Sequence, residues 1–504
     1  MRTLAPAGPL ASRHRERARA DRRLGRAGGR VALTAALAVG LLTFLASQRN
    51  YGQDGLAVPV LGVCVVLCGA LPLAVHAIQS ARGERIPWRI PFLPILGLIY
   101  GLYYGMPVLF ADQLEMNGKP VDTRALCLCL EMALVGWIAC LFAFYGFARF
   151  IPLGRRLCLE WDPERARRMA PKMIVVGLCV WFVRRAVELP GSLTQLVLFL
   201  ERMLQAGVGI LLILHFRGQL ERTWRHALWF VCIPLYLFLQ IGIGSVAQLV
   251  FAGVFLLMIT WACGRRAPWA LLIPFGFLAI LLRGNAEEFR KRTWWDTEGA
   301  QMSSLERSVA FLELLLERFE KNGFEVLGDS AAVVRSRTSH LSLFAHTADL
   351  TPDVVPYWGG ATYATLPSSF VPRILWPNKP SKLVGQDFGH RYGILSADDF
   401  TTAINLPQLV EVFINFGYAG VVLGMAALGL LYRVLYRVLN RSGSGDASIL
   451  VAAFIFSALI NIESDFSLMF GGVIQTVILL VLVLRRACPT TVRARPALTG
   501  GGAV

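Results

Sequence analysis

The chain has 504 residues, of which 55% are hydrophobic and only 16% are charged, and its formal net charge is +17. The apolar residues come in blocks of about 17 to 25, the length that an α-helix needs to cross a hydrocarbon layer of about 30 Å. This composition excludes a soluble enzyme, a disordered protein and a nucleic-acid-binding protein. The lack of alternating ten-residue segments excludes an outer-membrane barrel. The sequence therefore predicts an all-α, polytopic transmembrane helical bundle.

The N-terminal segment, residues 1–30, carries nine arginines against Glu16 and Asp21. Because basic residues accumulate on the cytoplasmic side of membrane proteins, this segment is predicted to be a cytoplasmic tail. No small-residue cleavage site follows the first apolar block. We therefore interpret that block as a retained span rather than as a signal peptide.

About twelve spans are predicted, nine within residues 31–283 and three within residues 408–484. Their approximate bounds are 31–47, 56–78, 90–111, 125–147, 171–188, 193–216, 227–244, 246–263, 268–283, 408–432, 448–463 and 466–484. The last two could form a broken hairpin, because Asn461, Glu463 and Asp465 interrupt them. Twelve spans place both termini, including the tail 485–504, on the cytoplasmic side.

Arginine in the connections between spans supports this arrangement. Connections on the predicted cytoplasmic side contain Arg82, Arg85, Arg89, Arg155, Arg156, Arg165, Arg167, Arg168, Arg217, Arg222, Arg225, Arg265, Arg266, Arg433, Arg437 and Arg441. The short connections on the other side are poorer in basic residues, as residues 48–55 and 112–123 illustrate. This alternation is the pattern of the positive-inside rule.

One long connection, residues 284–407, is predicted to lie outside the cytoplasm and to be the functional loop, because long ordered loops usually carry function. Ser303 and Glu306 form a predicted capping box, and apolar residues at helical spacing then predict a helix that ends near Gly323. A second helix is predicted over about 329–346. The stretch 352–395 is rich in turns and aromatic residues and shows little helical pattern.

Prolines and glycines fix the backbone of segment 355–391, and its part 371–391 carries an excess of positive charge. The part 371–391 has one acidic residue, Asp387, and four basic residues: Arg373, Lys379, Lys382 and Arg391. Aromatic residues lie among and before them in the sequence: Trp358, Tyr363, Phe370 and Trp376. Arginine binds phosphate oxygens with a planar fork and lysine acts as a point charge, so the cluster suits an anionic headgroup joined to a lipid tail. The alternative is plain anchoring at the membrane interface by aromatic and snorkelling basic side chains.

Further candidate residues lie on either side of this segment. Arg335, Arg337, His340 and His346 come upstream, and in a helix Arg337 and His340 would share a face that could bind phosphate and move a proton. The alternative for them is a solvated helix face. Downstream, Glu411 and Asn415 open the tenth predicted span, where a carboxylate is costly unless it is paired or functional. Arg283 ends the ninth predicted span and adds one more cation.

Several motifs of other enzyme classes are absent. The sequence has no Walker loop, no GxGxxG after a strand and no HExxH. The first outside connection has only Asp54, whereas many glycosyltransferases that use lipid-linked sugars hold a metal there with paired acids. We therefore expect no metal and no cofactor.

The stretch FVPRILWPNKPSK at 370–382, followed by LPQLVEVFINFGYAG at 406–420, resembles the bacterial oligosaccharide repeat-unit polymerases of the O-antigen polymerase type. The shared features are an aromatic-proline-arginine turn, a tryptophan-proline-lysine-proline run, and a glutamate and an asparagine-phenylalanine-glycine in the next span. The multi-span layout with a large late outside loop is also similar. The N-terminal half contributes little beyond its hydrophobicity.

The resemblance implies an enzyme of the bacterial plasma membrane that joins undecaprenyl-diphosphate-linked oligosaccharides into a surface polysaccharide. A hydroxyl of one unit would attack the anomeric carbon of the growing chain, and undecaprenyl diphosphate would leave. Preorganised cations would stabilise the charge on that leaving group, namely Arg373, Lys379, Arg335 and Arg337, with Arg391 and Arg283 as helpers. Glu411 or His340 would take the proton, and Trp358, Trp376 and Tyr363 would contact sugar or lipid. Implied partners are the lipid-linked units, membrane lipid, a flippase and a chain-length regulator.

Three other functions remain open. An O-antigen ligase would use the same donor with a different acceptor. A metal-dependent glycosyltransferase using a polyprenyl-phosphate sugar would need an acidic pair such as Asp112 and Glu115. A transporter or flippase would spread ionisable residues at mid-membrane depth and would have little need for a 124-residue loop, the length of segment 284–407.

Replacing Arg373 by alanine is expected to abolish chain extension, because the leaving diphosphate loses its main cation. The variant should still insert in the membrane. Gel analysis of surface glycan length, together with the amount of protein in the membrane fraction, tests this expectation. Polymer of wild-type length in the R373A strain would contradict it.

Overall fold

The computed structural model describes residues 56–81, 90–111, 113–116, 118–146, 159–187, 191–241, 246–265, 269–290, 304–323, 325–326, 328, 330, 340–371, 375–376, 378, 384–400, 402–440 and 445–487. These residues are mostly helical. The predicted span 31–47, the N-terminal tail 1–30 and all but the start of the tail 485–504 lie outside them.

The first helices, up to the long connection, are α1 (Ala57–Ala81), α2 (Phe92–Tyr100), α3 (Pro107–Phe110), α4 (Thr123–Gly146), α5 (Pro163–Ala186), α6 (Gly191–Phe216), α7 (Arg222–Ala227), α8 (Ile233–Ile241), α9 (Val246–Ala262) and α10 (Trp269–Arg290). Two π-helical segments, Gly101–Gly105 and Leu228–Cys232, continue α2 and α7. A small antiparallel hairpin of β1 (Glu115–Met116) and β2 (Lys119–Pro120) precedes α4, with Glu115 opposite Pro120.

The later helices are α11 (Ser304–Asn322), α12 (His340–Leu350), α13 (Leu366–Ser369), α14 (Val384–Arg391), α15 (Gln408–Leu439), α16 (Asp446–Leu459) and α17 (Phe466–Leu484). A 3₁₀ segment, Ala361–Thr365, runs directly into α13. The elements α11, α12, α13 and α14 belong to the predicted outside loop.

Among the described residues, five helices are long and apolar enough to cross a membrane. They are Ala57–Gln79, Thr123–Gly146, Leu196–Phe216, Gln408–Leu439 and Phe466–Leu484, and shorter apolar helices cover Phe92–Gly105, Val246–Ala262, Ala270–Leu282 and Asp446–Leu459. The expectation of a largely helical membrane protein is confirmed at this level. The number of twelve spans and the side on which the long loop lies stay predictions.

Helix ends follow from local sequence. At the start of α5, the side chain of Asp162 accepts a hydrogen bond of 3.0 Å from the backbone N–H of Glu164, and Pro163 occupies the first turn. Arg184 and Arg185 lie in the last turn of the same helix. A capping acid at the start and cations at the end both complement the helix dipole.

Small residues let the central helices approach closely. A Cβ added to Gly69 on α1 would lie 2.4 Å from the carbonyl oxygen of Gly97 on α2, and one added to Gly429 on α15 would lie 2.1 Å from the carbonyl oxygen of Cys140 on α4. Within a membrane, where burial from water gives no driving force, such close backbone packing is a main source of helix association.

Polar contacts join several connections at one end of the bundle. The Asn440 side chain accepts from Ile90 N at 2.8 Å and donates to Ile90 O at 2.7 Å. Arg217 forms a bidentate pair with Asp446, in which Nη2 donates to Oδ1 at 2.7 Å and Nε donates to Oδ2 at 3.2 Å. The backbone N–H of Asp162 donates to Ala487 O at 3.0 Å. The connections that meet here carry arginines predicted to be cytoplasmic. Their grouping suits the positive-inside rule, although the orientation in the membrane stays a prediction.

Helix α15 reverses direction at Gly417, whose φ of 63° and ψ of −147° are not helical. Tyr432 OH donates to Gln408 Oε1 at 3.4 Å, although a straight helix would hold two residues 24 positions apart about 36 Å from each other. A Cβ added to Gly424 would lie 2.5 Å from Cγ1 of Val412. The segment 408–416 therefore folds back against 418–432, so the predicted tenth span, 408–432, is not one straight rod.

Other elements also depart from the predicted bounds. Helix α10 continues to Arg290, beyond the predicted end at 283, and the second loop helix ends at Leu350 rather than 346. The predicted capping residue Ser303 lies outside the described residues, but α11 ends at Asn322, and the next residue, Gly323, has a φ of 56° as the stop signal predicts.

Helix α14 was not expected, because its sequence VGQDFGHR contains two glycines. A Cβ on Gly385 would lie 2.3 Å from Ile404 O, and a Cβ on Gly389 would lie 2.5 Å from Cδ1 of Leu395. Close packing against the following chain thus requires glycine at both positions, and tertiary contacts override the low helix propensity of that residue.

A leucine at position 429 is expected to destabilise the bundle, because its Cβ cannot fit against the Cys140 carbonyl. Overpacking of this kind costs about 1–3 kcal/mol. Gly472 on α17 provides the matched control, since a Cβ there meets nothing within 4 Å. In detergent, G429L should show a lower thermal midpoint by fluorescence-detected size exclusion, whereas G472L should match the wild type. Equal midpoints for all three proteins would refute the packing argument.

Candidate functional site

Polar residues from four parts of the chain converge around the reversed segment 408–416. The loop between α16 and α17, residues 460–465, reaches its start, where Gln408 N donates to Ile462 O at 3.1 Å. The segment that begins at Trp358 reaches its other end, where Trp358 N donates to Ile414 O at 2.9 Å. The reversal at Gly417 thus places this short helical segment between the two loops.

Glu411 lies on this segment and is fully buried. Its Oε2 accepts a hydrogen bond of 2.8 Å from the backbone N–H of Phe466, the first residue of α17. Its Oε1 has no hydrogen-bond partner among the described residues. A carboxylate is favourable at a helix N-terminus, where N–H groups lack partners within the helix. Glu411 therefore joins α15 to α17.

Asn415, one turn after Glu411, uses both ends of its amide. Its Nδ2 donates to Thr362 Oγ1 at 2.8 Å and to Glu411 O at 2.7 Å, and its Oδ1 accepts from Gly360 N at 2.9 Å. Gly360 has a φ of 90°, a value that favours glycine. Asn415 is thus the residue that ties the 3₁₀ segment to the reversed helix.

Glu463 forms a second polar cluster with residues of three other elements. Tyr103 OH donates to Glu463 Oε1, and Asn405 Nδ2 donates to Glu463 Oε2 at 3.0 Å. His340, the first residue of α12, lies with its Nε2 3.6 Å from Glu463 Oε1. The Tyr103 ring stacks on the imidazole of His340 with centroids 4.4 Å apart and planes 11° apart.

An apolar groove of about 730 Å³ opens beside Glu411 and Asn415. The two arms of α15, the start of α17 and Tyr363 line it, with Val412, Phe416, Ala419, Gly420, Leu423, Gly424, Ala427, Leu428, Leu431, Phe466 and Phe470 as the apolar members. Its volume falls in the range of about 300–1,000 Å³ that is usual for ligand pockets. The groove adjoins the site, because two of its lining residues neighbour Glu411. Val412 follows Glu411 in the chain, and the backbone N–H of Phe466 donates a hydrogen bond to it.

Tyr363 stands at the polar side of the groove. Its ring stacks on Phe416 with centroids 6.2 Å apart and meets Phe466 edge-on at 5.7 Å. Burial raises the pKa of the Tyr363 phenol, so the hydroxyl stays protonated and can donate a hydrogen bond. The predicted role of this tyrosine in contacting lipid or sugar is compatible with its position in the groove wall.

The structure pairs two residues to which the sequence gave separate roles. The Arg391 guanidinium lies 4.3 Å from the ring centre of Trp358, a cation–π contact. One face of the Trp358 ring is therefore covered and cannot stack on a sugar. Trp376, in contrast, is 44% exposed. His346 connects α12 to the residue after α14, since its Nε2 lies 2.9 Å from Tyr392 O.

Most of the predicted cations lie outside the described residues, namely Arg335, Arg337, Arg373, Lys379 and Lys382. Arg283 lies on α10, where only the backbone is described. Among the described residues no group of three or more His, Cys, Asp or Glu side chains could hold a metal ion.

Sequence reasoning missed the roles of Glu463, Tyr103, Asn405 and Thr362. For Glu463 a signal was present, because an ionisable residue between two apolar blocks is a functional candidate by default. It was interpreted only as an interruption of the last two spans. Tyr103, Asn405 and Thr362 carry no such signal, since each gains its role from a partner far away in the sequence.

The sequence profile of one protein family, described as Domain of unknown function (DUF8712), matches residues 162–488. The chain belongs to this family. The DUF8712 region includes α5 to α17, and thus Glu411, Asn415 and Glu463, while Tyr103 precedes it. No curated protein and no solved structure matches the chain.

Proposed function

We propose that the chain is an integral membrane glycosyltransferase that polymerises undecaprenyl-diphosphate-linked oligosaccharide repeat units into a surface polysaccharide. The observation that supports this most directly is the apolar groove beside a buried polar site. A substrate with a long isoprenoid tail and a polar, anionic head needs both features next to each other. The O-antigen ligase reaction, which uses the same donor, is the nearest alternative.

The groove suits a lipid chain for chemical reasons. Its lining is apolar apart from the Tyr363 hydroxyl, and it lies between helices that are long and apolar enough to span a membrane. Gly420 and Gly424 let the second arm of α15 pack closely on the first, since a Cβ at either position would lie within 2.5 Å of Val412. A chain entering from the bilayer would therefore reach Tyr363 and Phe466 without crossing a polar surface.

The basic segment 371–391 is connected to the same structure at both ends. Ser369 O accepts a hydrogen bond of 2.6 Å from Gln475 Nε2 on α17, and Arg373 follows four residues later. At the other end, Gly385 O accepts a hydrogen bond of 3.1 Å from Ile404 N. We therefore propose that the basic residues between these two anchors bind the diphosphate.

In the proposed reaction a hydroxyl of one repeat unit attacks the anomeric carbon of the other, and the bond to the diphosphate breaks. Arg373 and Lys379, with Arg335 and Arg337, would stabilise the charge that gathers on the leaving diphosphate. Arg391 and Arg283 would assist as more distant cations. Fixed cations can replace a metal in this role.

Deletion of the gene is the primary test. A polymerase predicts that surface glycan shrinks to a single repeat, and the gene supplied in trans should restore long chains. A ligase predicts instead that polymer still forms but stays on its lipid carrier. Unchanged glycan with altered solute uptake would indicate a transporter and would refute the proposal.

Filling the groove should slow polymerisation. Ala427 is exposed and lines the groove, so phenylalanine at this position would occupy the space of the lipid chain. Val176, an exposed apolar residue on α5 outside the groove lining, is the matched control. We expect A427F to give shorter chains at a wild-type level of membrane protein, and V176F to give normal chains. Equal chain lengths would rule out the groove as the lipid site.

A further inference from the structure

We propose that Glu463 is a catalytic residue that accepts the proton of the attacking hydroxyl, and that His340 positions and tunes it. This inference rests on the proposed function. It assigns the base to the loop between α16 and α17 rather than to Glu411. Four observations carry it: the geometry of the pair, the groups that hold it, its accessibility and the position of the loop.

The pair is close and has an unused hydrogen-bonding atom. His340 is only 7% exposed, and its Nε2 has no hydrogen-bond partner among the described residues. The same atom lies 3.6 Å from Glu463 Oε1, a distance that a small rotation would turn into a hydrogen bond. A buried imidazole nitrogen aimed at a carboxylate can share a proton with it, which is the usual arrangement of acid–base pairs.

Neighbouring side chains fix the orientation of both members. Tyr103 and Asn405 each donate a hydrogen bond to one oxygen of Glu463. The Tyr103 ring, stacked on His340, sets the plane of the imidazole. Tyr103 therefore touches both groups at once. A base whose orientation is fixed by its surroundings needs little reorganisation when the reaction occurs.

Accessibility distinguishes Glu463 from Glu411. The Glu463 side chain is 29% exposed, whereas Glu411 is fully buried and holds the N-terminus of α17. A sugar hydroxyl can reach the first carboxylate but not the second without opening the bundle. Glu463 also lies only three residues before Phe466, which lines the groove. The proposed base is therefore on the loop that leads into α17, whose first residue lines the groove.

The proton balance of the step is simple. The hydroxyl oxygen forms a bond to the anomeric carbon, and the carbon–oxygen bond to the diphosphate breaks with its electron pair remaining on the diphosphate. The hydroxyl proton passes to the Glu463 carboxylate and then to water. Among the described residues, other titratable groups on the elements that contact the pair include Tyr104, Glu115, His346, Asp349, Glu411 and Asp465.

The test uses the purified full-length protein in proteoliposomes with the lipid-linked unit extracted from the deletion strain. Glu463→Gln keeps the size of the side chain but removes the base, so the initial rate of chain extension should fall about 10²–10⁴-fold. Asp353, an exposed acid in the long connection 284–407, provides the control, and D353N should match the wild type. An E463Q rate within twofold of wild type would refute the assignment.

His340→Phe keeps a flat ring on Tyr103 but removes the nitrogen that faces Glu463. Without that neighbour the ionised carboxylate is less favoured, so the acid limb of the pH–rate profile should move to higher pH while the rate at alkaline pH recovers. A purely structural role would lower the rate equally at every pH. The pH–rate profile of H340F tests the role of the pair even if E463Q fails to fold. If the wild-type protein itself left the extracted unit unchanged, the proposed function, and not only this inference, would fail.

Discussion

The reversal at Gly417 is the constraint on which the site depends. Only glycine adopts a φ of 63° with a ψ of −147° without strain. A Cβ at this position would also lie only 2.8 Å from the Tyr357 hydroxyl oxygen. The reversal brings Gln408 back to Tyr432 and lays Val412 against Gly424. Without it, Glu411 and Asn415 would lie on a straight helix far from the loops that they now join. The groove is a second consequence, because both arms line it together with the start of α17.

Buried polar groups then fix how the surrounding elements pack. Glu411 and Asn415 cannot remain without partners inside an apolar bundle, since an unsatisfied polar group there costs several kcal/mol. The N-terminus of α17 satisfies one oxygen of Glu411, and Thr362 with Gly360 satisfies Asn415. The same hydrogen bonds therefore explain both the position of the 3₁₀ segment and the way in which the last two helices meet.

Hydrophobic blocks predict most helices of this chain, because an apolar run of twenty residues has few other stable forms. The reversal within 408–432 was not predictable from that signal, since the run is continuous and Gly417 is one glycine among many in apolar segments. Helix α14 was missed for the opposite reason, because its stability comes from Ile404 and Leu395 rather than from its own residues. For the site, sequence pattern singled out Glu411, Asn415 and His340. It did not reveal that Glu411 faces a helix N-terminus or that His340 faces Glu463, because those partners lie more than fifty residues away.

The charges around the proposed site favour one orientation of the lipid-linked donor. Glu463 presents an accessible carboxylate, and a diphosphate placed beside it would be repelled. A lipid-linked donor would therefore bind with its diphosphate toward Arg391 and the basic segment, and with its tail in the groove. The acceptor hydroxyl would then approach from the side of Glu463, where a carboxylate is an advantage rather than a penalty. Separating the cations that stabilise the leaving group from the acid that takes the proton lets both keep their charge, because neither has to neutralise the other.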